Sequence, residues 1–180
     1  YIMNIAIVGA TGNVGRKTLE VLEKKGLTLG NLYLVASSKS AGKKIHFQGK
    51  DIIVSELENF DFSKVKIAFF AAGGKISEKF AEKAAKHCLV IDNSSFFRMD
   101  PDVPLIVPQV NSDALNNVKK NIIANPNCST AQLVIALKPL HDLFVIKRIV
   151  VSTYQSVSGA GKASMDELIK QTKLALDGKD

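Results

Sequence analysis

The stretch Asn125-Pro126-Asn127-Cys128-Ser129-Thr130 sets one thiol where an extended segment gives way to a helix. Pro126 fixes its own φ and pushes Asn125 towards an extended conformation, so the chain turns before it coils. Asn127 is a natural N-cap, which puts Cys128 in the first helical turn. Unpaired backbone N–H groups and the positive end of the helix dipole favour an anion there, so a thiolate is expected. That sulfur would be a nucleophile, and the same N–H groups could hold an oxyanion formed on the carbonyl it attacks. Taken alone, Cys128 fits a buried structural cysteine equally well.

A second constellation is Gly9-Ala10-Thr11-Gly12-Asn13-Val14-Gly15, a GxxGxxG spacing between an apolar run and an amphipathic one. Glycine at a strand end permits the tight turn, the middle one lets backbone approach a diphosphate, and the third lets the helix pack closely on the sheet. Dinucleotide binding follows if a strand precedes this loop and a helix follows it. About 20 residues beyond such glycines an NAD site usually carries an acidic residue for the ribose 2′-hydroxyl. Here stands Ser37-Ser38-Lys39-Ser40-Ala41-Gly42, whose hydroxyls, cation and glycine would accept a 2′-phosphate, so the cofactor expected is NADP. Arg98 could grip a phosphate with two parallel hydrogen bonds, or form a surface pair with Asp100 or Asp102. Cys88 lies in an apolar run with no histidine placed to activate it, and reads as a packing residue. None of the three histidines is well placed as a general base for Cys128; His141 lies 13 positions further along, three to four helical turns away unless the helix breaks at Pro139.

The elements that must position these groups follow from periodicity. Strands are predicted over 3–8, 32–36, 66–72, 88–91 and 122–124, with a small hairpin of 45–47 and 52–54 that leaves His46 exposed. Helices are predicted over 12–25, with Val14, Leu19, Val21 and Leu22 as its apolar positions, and over 77–87. Residues 105–111 read as a short strand ending in a turn, and 112–117 as a short helix. Residues 131–140 are apolar on nearly every side, as in a helix buried between layers. A long strand over 145–154, a polar loop over 155–162 and a helix over 163–176 complete the pattern. Strand, helix and strand alternating with short links define an α/β fold, a doubly wound Rossmann-type parallel sheet. The first strand and helix of an incomplete α+β domain would follow. The expected division is 1–127 for the nucleotide-binding domain and 128–180 for the start of the second. Ligands of such sheets sit at the carboxyl ends of the strands, where Gly9 to Gly15, Ser37 to Gly42, Ala71 to Gly74 and Asp92 to Ser95 fall.

Composition narrows the ligand class. The 180 residues are 46% apolar and 23% charged, the profile of an ordinary globular protein. A net charge of +7 attracts anions. Because Lys24-Lys25, Lys43-Lys44 and Lys119-Lys120 are scattered and not interleaved with aromatics, phosphorylated small molecules fit better than nucleic acid. No apolar run approaches the roughly 20 residues a bilayer span needs, so no membrane association is expected. The opening Tyr1-Ile2-Met3-Asn4 shows no signal peptide, which reads as cytoplasmic. Two cysteines in such a chain are expected to be free thiols, with no metal site.

Several separated blocks together resemble the aspartate-semialdehyde dehydrogenase family: GATGNVG (9 to 15), SSKSAG (37 to 42), FAAGG (70 to 74), IDNSSFFRMD (91 to 100), PLIVPQVN (104 to 111), NPNCST (125 to 130) and QSVSGAGK (155 to 162). The resemblance implies reductive dephosphorylation of L-aspartyl 4-phosphate to L-aspartate 4-semialdehyde with NADPH, releasing inorganic phosphate, in lysine, threonine and methionine biosynthesis, by a homodimer. It implies that Cys128 is the nucleophile that forms an acyl-thioester, that Arg98 holds the substrate phosphate, and that Gln155 contacts the aspartyl part. Thr11, Gly12, Asn13, Val14, Lys39, Ser40, Gly73, Ser158 and Gly159 would line NADP. Lys39 stands where an arginine is often found, which keeps the charge and loses the fork. Family members carry, in a later half, a histidine acid/base, an arginine for the substrate carboxylate and a lysine for phosphate. The chain therefore reads as a fragment, expected to bind NADPH weakly and to turn over little or nothing. Two rivals share features. N-acetyl-γ-glutamyl-phosphate reductase has the same chemistry but typically a glycine where Asn127 stands, and a non-catalytic NADP-sensing module would leave Cys128 with ordinary reactivity.

Overall fold

The computed structural model describes residues 3–178, which group into two compact units, one up to Lys147 and the other from Arg148. The first unit is built on a six-stranded sheet. Its strands are β1 (Ile5–Val8), β2 (Leu32–Ala36), β5 (Ser55–Glu56), β6 (Ile67–Phe70), β7 (Leu89–Asp92) and β8 (Ile122–Ala124), in the spatial order β5-β2-β1-β6-β7-β8. Every pair is parallel, with Ile5 opposite Leu32 on one side and Ile67 on the other. β3 (Lys44–Phe47) and β4 (Lys50–Ile53) form the antiparallel hairpin, with His46 exposed and hydrogen-bonded to Asp51.

Both faces of this sheet are buried, which is why its strands read as continuous apolar runs. Ala6 and Val8 point into one core with Phe70, Val90 and the buried face of α2 (Gly74–Ala85), namely Phe80, Ala81, Ala84 and Ala85. Ile7 points to the other, with Leu34 and with Leu19 and Leu22 of α1 (Asn13–Lys24). The sheet is thus doubly wound, and the strand order reverses between β1 and β6. In such folds a ligand crevice opens there at the carboxyl edge.

Some expectations need correction. The stripe that α1 buries is Gly15, Leu19 and Leu22, at i, i+4 and i+7, and it turns Val14 and Val21 outward, each about half exposed. α2 starts at Gly74 and not at Ser77, because Gly73 at φ +86° makes the turn into it. Residues 105–111 contribute a single bridge, Leu105 to Ala124; Pro108 then opens the short helix α3 (Pro108–Asn111), where its missing N–H costs nothing. A 3-10 helix, Ser112–Asn117, follows. α4 (Cys128–Phe144) runs unbroken through Pro139, and none of its residues is buried, against the expectation of a helix between layers.

The second unit holds a 3-10 turn (Val157–Ala160) and α5 (Lys162–Leu176), which opens at Gly161 with φ +97°. None of its described residues is buried; Leu168 and Ile169 are about half exposed and Leu176 more so. The strand expected over 145–154 does not form. Alternating apolar residues favour a strand, but backbone groups need a ladder partner, and no described strand pairs with this segment.

Candidate active site

The carboxyl edge of the sheet begins with the glycine loop. Gly9 has φ +86°, and a Cβ there would lie 2.7 Å from the carbonyl oxygen of Ala71, so only glycine lets the loop cross the end of β6. A Cβ on Gly15 would fall 2.2 Å from the Gly9 carbonyl oxygen, which identifies it as the close-packing glycine of α1. Gly12 differs: a Cβ there would clear the Gly9 oxygen at 3.4 Å. Its missing side chain therefore leaves open the N-terminus of α1, where no side chain caps the first N–H groups and no acidic residue occupies the first turn. That end of the helix suits a phosphate, and Asn13 and Val14 lie exposed in the same turn.

The loop is joined to the turn after β2. Thr11 Oγ1 donates to Ser40 Oγ at 3.4 Å, and the Thr11 carbonyl accepts from Arg16 Nε at 3.2 Å. The turn itself curls through Ser40 and Ala41 N–H bonds to the Ser37 carbonyl, which leaves Lys39 exposed beside the half-buried Ser40. In the loop between β6 and α2, Gly73 has φ +86° and nothing within 4 Å of where a Cβ would stand. These residues fit a dinucleotide: backbone approaches are open, cationic and hydroxyl groups stand at one end, and no carboxylate guards the turn after β2.

Further along the same edge, β7 and β8 carry the second constellation. Asn127 caps α4, its Oδ1 accepting from Ser129 N–H at 3.0 Å and from the Ser129 hydroxyl at 2.6 Å. Cys128 follows as the first helical residue, exposed, with Sγ 3.8 Å from the same oxygen. The other thiol, Cys88, is buried, donates to the Ala84 carbonyl at 3.4 Å, and is pushed by burial up to about 11. The packing role read for Cys88 is what the structure gives it. His141 sits in α4 itself, roughly 20 Å down the helix from Cys128 at 1.5 Å per residue, so it cannot serve that thiol.

Arg98 makes neither surface pair considered for it. Asp100 is taken by Lys120 at 2.8 Å, which with the Asp102 N–H holds its carboxyl below the usual range, and Asp102 is taken by Lys119. Arg98 instead donates from Nε to the carbonyl of Asn125 at 2.9 Å and from Nη2 to the carbonyl of Asn93 at 3.4 Å. The guanidinium, half-buried, is thereby fixed between the ends of β7 and β8, on the carbonyl of the residue three positions before Cys128, and keeps donors for an anion. Asn93 and Asn125 also join side chain to side chain. The sequence places Asp92 and Asn93 on the ligand edge and Asn125 before the turn to Cys128, but residue types alone give none of the three an individual role. A carboxylate ending a buried strand just before Asn-Ser-Ser was the available signal.

Gln155, Ser158 and Gly159 belong to the second unit. Gln155 Oε1 accepts from Thr153 at 3.2 Å, and Ser158 shares a 2.8 Å hydroxyl bond with Ser156 in the 3-10 turn that includes Gly159. All three are exposed. Among the described residues no group of three or more His, Cys, Asp or Glu could hold a metal, and no helix is long and apolar enough to cross a membrane.

A glycine loop opening a doubly wound sheet, with a capped and exposed cysteine on the same carboxyl edge, is the layout of a dinucleotide-binding domain. Residues 4–118 match the family model "Semialdehyde dehydrogenase, NAD binding domain", and residues 137–180 match "Semialdehyde dehydrogenase, dimerisation domain". The chain belongs to the semialdehyde dehydrogenase family. Within that family its similarity is to the aspartate-semialdehyde dehydrogenases, as the sequence blocks implied. That of Rickettsia bellii is 53% identical over 172 residues, 94% of this chain and 51% of the relative. The crystal structure of aspartate semialdehyde dehydrogenase II from Vibrio cholerae complexed with ASA superposes with a TM-score of 0.94 at 51% identity, over 99% of this chain and 54% of that one. The enzyme of Candida albicans crystallised with NADP gives a TM-score of 0.65 at 30% identity, over 81% and 48%. The chain spans about half the length of the curated relatives it matches.

Proposed function

We propose that this chain is the cofactor-binding and nucleophile-bearing half of an enzyme that reduces L-aspartyl 4-phosphate to L-aspartate 4-semialdehyde and releases inorganic phosphate. The observation that carries the reading is the placement of an exposed, Asn127-capped Cys128 on the same sheet edge as the glycine loop, with Arg98 braced on the carbonyl of Asn125, three residues ahead of the cysteine. The sulfur attacks the acyl carbon, the carbon–oxygen bond to phosphate breaks with its electron pair leaving on phosphate, and an acyl-thioester remains on Cys128. Arg98 holds the departing phosphate, and the first-turn N–H groups of α4 other than that of Ser129, which Asn127 caps, hold the oxyanion formed during attack. Gln155 contacts the aspartyl part of the substrate. NADPH supplies hydride for reduction of the thioester when it is bound by Thr11, Gly12, Asn13, Val14, Lys39, Ser40 and Gly73, with Ser158 and Gly159.

Phosphate rather than hydroxyl recognition after β2 supports NADP, since Ser37 to Gly42 offers a cation and hydroxyls and no carboxylate. The whole protein is read as a homodimer serving lysine, threonine and methionine synthesis, in the cytoplasm, where two free thiols stay reduced. The 180-residue chain alone is expected to bind NADPH weakly and to turn over little, because the histidine acid/base and the carboxylate clamp that the resemblance implies match no residue in it. The test is NADPH oxidation by a protein that joins this chain to the second half found in its relatives. Oxidation with aspartyl phosphate and not with N-acetylglutamyl phosphate is the expected result; the reverse preference would overturn the reading.

A further inference from the structure

The carboxylate of Asp92 ends β7 with none of its surface exposed to solvent, and no cation among the described residues forms an ion pair with it. Oδ1 accepts from the Ser77 hydroxyl at 2.6 Å and from Ser94 N–H at 3.1 Å; Oδ2 accepts from the Ser94 hydroxyl at 2.7 Å. The Ser94 oxygen in turn accepts Phe96 N–H at 3.1 Å, so the turn that leads to Arg98 is hung step by step from one carboxylate. The backbone of the same residue reaches the other side of the site, because the Asp92 carbonyl accepts Asn125 N–H at 2.8 Å. A fully buried carboxylate is retained only where its hydrogen bonds compensate the loss of water. Ser77, on α2, touches neither Arg98 nor Cys128 directly, yet it anchors the far side of this turn to the helix.

We infer that Asp92 is a positioning residue: it sets Arg98, and the Asn125 segment that leads to Cys128, at a fixed mutual placement, so that phosphate held by the guanidinium sits against the sulfur. The inference rests on the proposed role of Arg98 and goes beyond it, since the resemblance implies nothing for Asp92. Asp92→Asn keeps the shape but replaces one acceptor oxygen by a donor, which no longer satisfies both serine hydroxyls and the amide. Arg98 then keeps its charge and loses its fixed aim.

The experiment measures alkylation of Cys128 by iodoacetamide in the 180-residue chain at increasing inorganic phosphate. In the unaltered chain phosphate is expected to slow alkylation. Asp92→Asn is expected to raise the phosphate needed for half-protection about 10-fold, and Ser77→Ala about 3-fold, with the rate in the absence of phosphate unchanged within about 2-fold. Val65→Ala, which thins the core at the opposite edge of the sheet, lowers stability without moving half-protection. Arg98→Ala separates the two ideas. If it abolishes protection while Asp92→Asn and Ser77→Ala leave half-protection where it was, the positioning role is wrong and the role of Arg98 stands. If phosphate protects equally well without Arg98, or never protects, both are overturned. Should Asp92→Asn not fold, Ser77→Ala decides.

Discussion

Thr11 and Ser40 touch through their hydroxyls at 3.4 Å, joining the glycine loop to the turn that carries Lys39. One ligand can therefore meet both. If Lys39 faces a 2′-phosphate, Lys39→Glu should weaken NADPH binding by at least about 10-fold, or about 1.4 kcal/mol, and leave NADH nearly unchanged. Fluorescence titration of the two reduced cofactors measures this. An unaltered NADPH to NADH ratio would remove Lys39 from cofactor selection. Because the lysine is exposed, the discrimination should also shrink as salt is raised.

The glycines of the loop separate fold from ligand. Alanine at Gly15 would press a methyl to 2.2 Å from a backbone oxygen that cannot retreat, so Gly15→Ala should cost about 3 kcal/mol or more. Gly12→Ala meets nothing closer than 3.4 Å and should cost at most about 1 kcal/mol. It nevertheless places a methyl where the open N-terminus of α1 would receive a diphosphate, and cofactor binding should fall about 10-fold. Urea denaturation beside cofactor titration separates the two effects; a Gly12→Ala protein that binds as before would move the diphosphate elsewhere.

The two thiols should behave oppositely. In the native chain Cys128 reacts with a disulfide reagent and Cys88 does not; denaturant exposes both. Burial raises Cys88 to about 11 from an ordinary value of 9.0, so the folded state holds its proton more tightly than the unfolded one. The stabilisation is then complete below about pH 9 and is lost as pH climbs through about 11. Urea midpoints should fall over that window, and Cys88→Ala should flatten the fall relative to the unaltered protein. Equal slopes in the two proteins would dismiss this linkage.

What the sequence made legible is what is local or doubly apolar. β2 and β8 fall at the bounds read from their apolar runs, and the loop after β1 has the strand before it and the helix after it that dinucleotide binding requires. The failures are non-local. Apolarity on every side of 131–140 tells what α4 could bury, not what packs on it, and alternation over 145–154 cannot supply a ladder partner. The sequence puts Asp92 to Ser95 on the ligand edge but cannot mark Asp92 as buried, because a carboxylate is ordinarily exposed and one of its compensating partners, Ser77, lies 15 residues away on a helix. Residue types offer Arg98 a phosphate or a neighbouring aspartate. Carbonyl oxygens of Asn93 and Asn125 offer a third partner that residue types cannot reveal.

The cap of α4 gives the last test, since Asn127 serves both the helix and the sulfur. Its Oδ1 satisfies Ser129 N–H, so Asn127→Ala should cost about 1 kcal/mol of stability. Asn127→Asp keeps an acceptor at that place and should preserve stability, because a carboxylate suits the positive end of a helix. It also puts a negative charge next to the position where a sulfur anion must form, 3.8 Å from the capping oxygen in the native chain. Like charges that close disfavour the anion, so alkylation of Cys128 at pH 7 should slow about 10-fold, while raising the pH should recover the rate. The pair of substitutions thus pulls stability and reactivity apart. Were Asn127→Asp alkylated as fast as the unaltered chain across the whole pH range, the reacting species would not be an anion sensitive to this cap, and the nucleophile assigned to Cys128 would need another source of activation.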